Sequence, residues 1–401
     1  MVNINRREAV KVLGASALAG PMVATGVNAQ KAKPDIVMAA AMPVTGVFSM
    51  AGSFLSAGMS DYVALRNSRG GILGHKIRYV WEDSNFKVDQ GVNIFKKLMA
   101  SEKPSFFYAD NTGLCKAIAR DALDSGTVMT ATASCAAVVA DPVSMPHNFI
   151  AGPTYGSMHE ILMTYIARAS QGTEKKPTVA LVYTESEFGS DAIPASKAAA
   201  QKLGIPIVAE IVTKVTGMDV TTEVAKLRRI KPDIVIFQGY IVAPIPEFVR
   251  QMREAGLNSQ IMGTIWSSDQ PLLDALSAMG ETYMGVVPYR FSYDTESTMM
   301  QTIVNYVAIN RPQMKVISHF YVNSWLSAMI FSEVAERCIK AGKPLTQPNM
   351  TAALRSIKEF DTGGLTGLLV DLSKHQISSG RLYSLDPKTK RMVPASGWIR
   401  V

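Results

Sequence analysis

Two short polar turns carry the groups in this chain best suited to holding a small molecule: Asp110-Asn111-Thr112-Gly113 and Thr132-Ala133-Ser134. Each follows an apolar, β-leaning run, Phe106-Phe107-Tyr108 and Thr127-Val128-Met129-Thr130. Between the turns Ile118, Ala122 and Leu123 have helical spacing, and Gly126 ends that pattern. The order strand, loop, helix, strand, loop makes the two strands parallel. Turns at the carboxyl ends of adjacent parallel strands face one crevice, where ligands sit. Free N–H groups at a helix start, with hydroxyls beside them, suit a carboxylate or another small polar group. An ordinary pair of α/β turns carries the same residue types, so this stretch alone does not separate scaffold from site.

Other chemistries find little support. There is no G-x-S-x-G elbow, no GxxxxGK[ST] and no GxGxxG. His75, His147, His159, His319 and His375 are isolated, without an i,i+4 pair or HExxH. Glu82-Asp83 ends an alternating run, where a solvated or capping role explains it better than acid–base catalysis. Cys115, Cys135 and Cys338 form no CxxC and no zinc-type spacing. Cys115 and Cys135 fall in the two turn regions, compatible with a disulfide in an oxidising compartment and equally with buried free thiols. No enzyme activity, no metal and no cofactor is expected.

The elements that must position the turns follow a βα rhythm. Ile36–Ala40 reads as a first strand, followed by Pro43-Val44-Thr45-Gly46-Val47-Phe48-Ser49-Met50-Ala51-Gly52 and a helix with Leu55, Met59, Tyr62 and Val63 on one face. Ile77–Trp81 is the second strand, and a helix over about 88–100 precedes Phe106. The pattern restarts near Lys176-Pro177. Strands are expected at 179–183, 207–212, 234–237 and 261–263, and helices near 191–203, around Val220, Val224 and Leu227, and after Pro246. Beyond Gly285 the rhythm changes: a short strand at Val286-Val287, helices over about 295–310, 319–341 and 350–357, a Gly-rich entry to a strand over 360–370, and a hairpin over 380–393. This order gives an α/β class with parallel sheets in two similar halves.

Composition sets the outer bounds. The chain has 401 residues, 47% hydrophobic and 18% charged, which suits two globular domains better than one. The net charge of +8 comes from scattered Lys and Arg with no basic–aromatic cluster, so nucleic-acid binding is not expected. No run reaches the roughly 20 apolar residues needed to span a bilayer. Residues 1–29 read as an export signal of twin-arginine type. Arg6-Arg7 and Lys11 precede a mildly apolar segment from Val12 to Thr25, and Val27-Asn28-Ala29 offers a cleavage site near Ala29.

Taken together, Pro43-Val44-Thr45-Gly46 with Gly52, the run Arg69-Gly70-Gly71-Ile72-Leu73-Gly74-His75-Lys76-Ile77, Glu82-Asp83, Phe188-Gly189, the segment from Arg250 to Gly256, and Phe360-Asp361-Thr362-Gly363 are similar in order and spacing to the type I periplasmic solute-binding proteins of ABC transporters, the branched-chain amino acid (Leu/Ile/Val) binding family. The resemblance covers roughly residues 35–393. It implies two Rossmann-like lobes joined by a three-strand hinge, one about 35–152 plus 286–340 and the other about 153–285 plus 341–401, closing over a ligand in the cleft. It further implies a periplasmic, monomeric protein that meets the membrane only through its permease subunits. Ligand-binding positions carried over from the family are Phe48, Ser49 and Met50, then Thr112 and Gly113, then Thr132, Ala133 and Ser134 in the first lobe. Phe188 and Tyr240 come from the second. Trp266 lies in the turn where amino-acid binders of the family place a carboxylate for the ligand's ammonium. Here that turn reads Thr264-Ile265-Trp266-Ser267, with no acid until Asp269. An ammonium left unpaired in a dry cleft costs several kcal/mol. Either Asp269 or Asp110 substitutes, or the ligand is not a zwitterionic amino acid; the aromatic residues favour an acid with an apolar or aromatic body. A sensor domain of the same fold is the competing function, and it would carry an anchor or signalling segment that the sequence does not display.

Overall fold

A computed structural model describes residues 33–401 except 47, 133–134, 215–217 and 295. The export signal expected over 1–29, and Ala133 and Ser134 of the second turn, lie outside the described residues. The first part of the chain builds one sheet from β1 (Ile36–Met42), α1 (Ser49–Ser68), β2 (Ile77–Asp83), α2 (Val88–Ser101), β3 (Phe106–Ala109), α3 (Thr112–Ser125), β4 (Val128–Ala131) and β5 (Asn148–Ile150). Its five strands are all parallel, in the order β2-β1-β3-β4-β5. Every residue of β3, β4 and β5 is buried, as expected where helices cover both faces of a parallel sheet.

The second sheet follows from α4 (Tyr155–Ala169), β6 (Val179–Thr184), α5 (Glu187–Ser190), α6 (Ala192–Leu203), β7 (Ile207–Thr213), α7 (Thr221–Ile230), β8 (Ile234–Gln238), α8 (Ile245–Glu254), β9 (Gln260–Gly263), α9 (Gln270–Ala278) and β10 (Met284–Val287). The chain then runs through α10 (Thr298–Asn310), α11 (His319–Lys340) and α12 (Gln347–Arg355) before the hairpin β11 (Ser379–Asp386) and β12 (Arg391–Arg400). The sheet order is β12-β11-β10-β9-β8-β6-β7. It is parallel from β7 to β10, and β11 runs antiparallel to both of its neighbours.

Local sequence explains most boundaries. Asn111 caps α3 by accepting from the Leu114 N–H at 2.8 Å, and Gly126 ends it in the left-handed conformation at φ 80°. Ser186 caps α5, Thr154 caps α4, and Gly204 ends α6 at φ 68°. Gly52 is required for a different reason: a Cβ there would lie 2.0 Å from the Pro43 carbonyl oxygen, so only glycine lets α1 pack against the turn leaving β1.

α11 lies along α1 of the first sheet. The two are tied by Asp61 on α1, which accepts from the Tyr321 hydroxyl of α11 at 2.8 Å and also from Nη2 of Arg311, at the end of α10, at 2.8 Å. The chain therefore passes between the sheets three times, from β5 to α4, from β10 to α10, and from α12 to β11. These passages join two α/β lobes. α12 packs against α11 and β4 on the first-sheet side, although it falls within 341–401, the stretch expected to belong to the second lobe. Its residues simply continue the helical layer begun by α11. The strand expected over 360–370 reduces to one bridge, Phe360 to Val370. Gly363, Gly364 and Gly367 all sit at positive φ there, and the resulting turns prevent an extended run.

Candidate functional site

A cavity of about 300 Å³ opens between the two sheets at the carboxyl ends of their strands. The first lobe contributes Pro43, Phe48, Ala51, Leu55, Phe86, Asp110, Asn111, Thr112, Gly113, Thr132 and Cys135; the second contributes Tyr155, Ser186, Glu187, Phe188 and Trp266. No Lys, Arg or His is among these described lining residues. The first turns of α1, α3 and α4 all border the space, through Phe48 and Ala51, Thr112 and Gly113, and Tyr155. On α3 the Asn111 cap occupies the Leu114 N–H, while those of Thr112 and Gly113 find no acceptor among the described residues. Unpaired N–H groups at a helix start carry partial positive charge and favour an anion.

Of the residues singled out from sequence, Phe48, Thr112, Gly113, Thr132, Phe188 and Trp266 come together on this cavity. Ser49 and Met50 do not line it. α1 has begun by then, and its period places Phe48, Ala51 and Leu55 on the cavity side while the next two side chains turn away; Met50 is exposed. Tyr240 does not line it either. Gly239, at φ 87°, turns the chain after β8, so Tyr240 packs on Phe237 and shares a 2.6 Å hydrogen bond with the Thr213 hydroxyl. Burial pushes its phenol up to about 12. Phe86 and Tyr155 were not anticipated. Phe86 follows β2 at the same sheet edge, a signal readable from the strand-end rule, and its ring centroid lies 3.9 Å from that of Phe48. Tyr155 opens α4 just after the first passage between lobes, where no local motif marks it.

The aromatic wall is continuous. Phe188 stands 5.4 Å from Tyr155 and 5.4 Å from Trp266, and Trp266 stands 5.6 Å from Phe320 on α11. Behind it, Gln238 Nε2 donates to the Phe188 carbonyl at 2.6 Å. The Gln238 oxygen lies 3.3 Å from His159 Nε2, and the other ring nitrogen of His159 lies 3.1 Å from the Ser196 hydroxyl. Burial lowers that imidazole to about 4, so it is neutral at physiological pH. Gly189 is fixed by contact, since a Cβ there would meet the Thr184 carbonyl oxygen at 2.1 Å.

The two acids considered as ammonium partners differ sharply. Asp269 is not on the cavity wall; it accepts from the Gln270 N–H at 2.9 Å and from the Ser318 hydroxyl at 2.5 Å, capping α9. Asp110 is on the wall and 4% exposed. It accepts from the Ser84 hydroxyl and from Asn111 Nδ2, the latter at 2.6 Å. Burial raises its carboxyl to about 6, against these hydrogen bonds and with a small push from Asp83. Cys115 and Cys135 are buried free thiols, not a disulfide. Cys135 donates to the Thr132 carbonyl at 2.9 Å. Lys116 on α3 meets Glu187 on α5 at 2.9 Å and the Ala137 N–H donates to Asp191 at 3.2 Å, so the two lobes touch at both points. Among the described residues no group of His, Cys, Asp and Glu is arranged to hold a metal ion, and no helix is long and apolar enough to cross a membrane.

Two parallel-sheet lobes with a cleft at their strand ends are the architecture of type I periplasmic binding proteins. A family model described as "Periplasmic binding protein" matches residues 35–386, and the chain belongs to that family. Its members are exported, periplasmic solute-binding proteins, not enzymes. Solved structures agree in fold. A branched-chain amino acid ABC transporter protein from Thermus thermophilus with bound valine aligns at 19% identity and a TM-score of 0.79, over 92% of this chain and 97% of that one. A fatty acid ABC transporter substrate-binding protein from Thermomonospora curvata aligns at 19% identity and 0.77, over 92% and 93%. A solute-binding protein from R. palustris in complex with benzoate aligns at 16% identity and 0.73, over 92% and 98%. No curated protein matches the sequence.

Proposed function

We propose that this chain is the exported, monomeric solute-binding subunit of an ABC importer, and that it captures a small carboxylate with an aromatic or aliphatic body by closure of its two lobes. The leader over 1–29 is removed near Ala29 after export, and the loaded protein meets the membrane through its permease. One observation supports the reading: Thr112 and Gly113, whose N–H groups find no acceptor among the described residues, line one cavity with Phe48, Phe86, Tyr155, Phe188 and Trp266. The polar end suits a carboxylate, and the aromatic wall rewards contact area and stacking. A cavity of about 300 Å³ suits a compact acid rather than a peptide. The aligned fatty acid transporter protein and the benzoate complex support an acid of this class.

A second reading has its own observation. Asp110 offers a buried carboxylate on the wall, which an α-amino acid's ammonium would pair. A thermal-shift screen of the mature protein at neutral pH separates the two. Bound ligand stabilises by RT ln(1 + [L]/Kd), so a hit at a hundred times Kd adds about 2.7 kcal/mol. Benzoate, 3-phenylpropanoate and octanoate are expected to raise Tm where leucine and valine do not. Leucine or valine as the strongest hit would contradict the reading.

A further inference from the structure

Asp110 sits at the carboxyl end of β3, next to the first turn of α3, whose Thr112 and Gly113 line the cavity. Its carboxylate has hydrogen bonds from Ser84 and Asn111, and among the described residues no cation pairs with it. The surrounding titratable and charged groups do not supply one. Tyr108 lies on its own strand, Asp83 at the end of β2, Cys115 and Lys116 on α3, Cys135 beyond β4, and Glu187 and Asp191 across the cleft. Lys116 is the single cation of this set, and it is paired with Glu187. Most of the remaining neighbours are acids or buried neutral groups. A second carboxylate brought to Thr112 and Gly113 would therefore enter a dry space beside an uncompensated one, and two like charges so placed do not both stay ionised.

We propose that Asp110 admits a carboxylate ligand by taking up a proton, so that binding of the anion and protonation of Asp110 are one linked event. The inference rests on the carboxylate reading of the cavity. The proton comes from solvent and ends on an Asp110 oxygen, and no other bond forms or breaks. The neutral carboxyl then has a hydrogen to donate, and the Ser84 hydroxyl can keep its contact as donor or acceptor. Asp110 already holds its proton more tightly than an ordinary aspartate, with burial raising its carboxyl to about 6. The linkage therefore becomes visible above that pH. It also makes the site selective, because an ammonium-bearing ligand would favour the ionised form and show the opposite dependence.

The test is isothermal titration of the mature protein with benzoate, 3-phenylpropanoate and octanoate between pH 5.5 and 8, in two buffers of different ionisation enthalpy. The expected result is a Kd that rises by up to about tenfold per pH unit above about pH 6, with uptake approaching one proton per ligand at pH 8. In Asp110→Asn the same acids should bind with a Kd that changes less than about threefold over that range. A flat wild-type profile with no proton uptake overturns the inference while leaving the carboxylate reading intact. A pH dependence retained in Asp110→Asn also overturns it, since the proton then lies elsewhere. If none of the acids binds at any pH, the reading of the cavity fails and the inference with it. The buffer comparison on the unaltered protein stands even if the variant does not fold.

Discussion

The first lobe meets the cavity with strand-end turns and helix starts, placing Asp110, Asn111, Thr112, Gly113 and Thr132 beside the rings of Phe48 and Phe86. The second lobe meets it with Tyr155, Phe188 and Trp266, backed by Phe320 and by the buried chain from Gln238 to His159. The difference follows from geometry. The α3 turn brings backbone donors to the cavity because a short polar turn opens a helix directly after a central strand. The β6 and β9 turns instead project large rings, because Gly189 packs its own backbone against Thr184 and leaves Phe188 to fill the space. On the proposed reading, one lobe orients a charged end and the other encloses an apolar body. A division of this kind lets one fold accept many acids by changing one wall.

Substitutions test the division, and the largest effect is expected from the apolar side. Trp266→Ala should weaken binding of 3-phenylpropanoate about 10- to 100-fold by titration calorimetry, as for a buried aromatic anchor. Melting temperature in the absence of ligand should fall less than for a core tryptophan. Asp110→Asn acts on stability from the polar side. The folded protein raises that carboxyl to about 6, so wild type binds the extra proton only below that pH, and its stability falls as pH rises from about 4 through 6. The Asn variant lacks this loss. In urea unfolding it should exceed wild type by roughly 1–3 kcal/mol at pH 8, with the gap shrinking towards pH 4.

Smaller effects are expected where the lobes merely touch. Lys116 and Glu187 are each about half exposed, with relative side-chain accessibilities of 46% and 46%. Lys116→Ala should change affinity by no more than about threefold, and less at high salt. The smallest effect on binding is expected at Tyr240. Tyr240→Phe loses its hydrogen bond to Thr213, costing about 1 kcal/mol of stability, and should leave ligand affinity within about twofold. A tenfold loss there would move the apolar wall towards β8.

The architecture was largely legible in the sequence because each βα unit announces itself locally. Asn111 and Gly126 bound α3, Gly204 ends α6, and alternating glycine-rich turns separate the strands. The strand-end rule led to the turns that hold Thr112, Gly113 and Thr132, since it needs only strand direction, while Phe188 and Trp266 came with the family resemblance. Neither route fixes side-chain direction. Ser49 and Met50 share a segment with Phe48 but not a helical face, and Tyr240 follows a strand end yet is turned back by Gly239. Tyr155 could not be read at all, because its place depends on where the chain crosses between lobes. The same holds for α12, whose packing on α11 is a long-range choice that no local signal encodes.

The most direct measurement is a crystal structure of the mature protein with 3-phenylpropanoate. The account expects the carboxylate within hydrogen-bonding distance of the Thr112 and Gly113 N–H groups, and the ring against Trp266 and Phe188. Acid bound outside this cavity, or lying in it with its carboxylate turned away from α3, would contradict it.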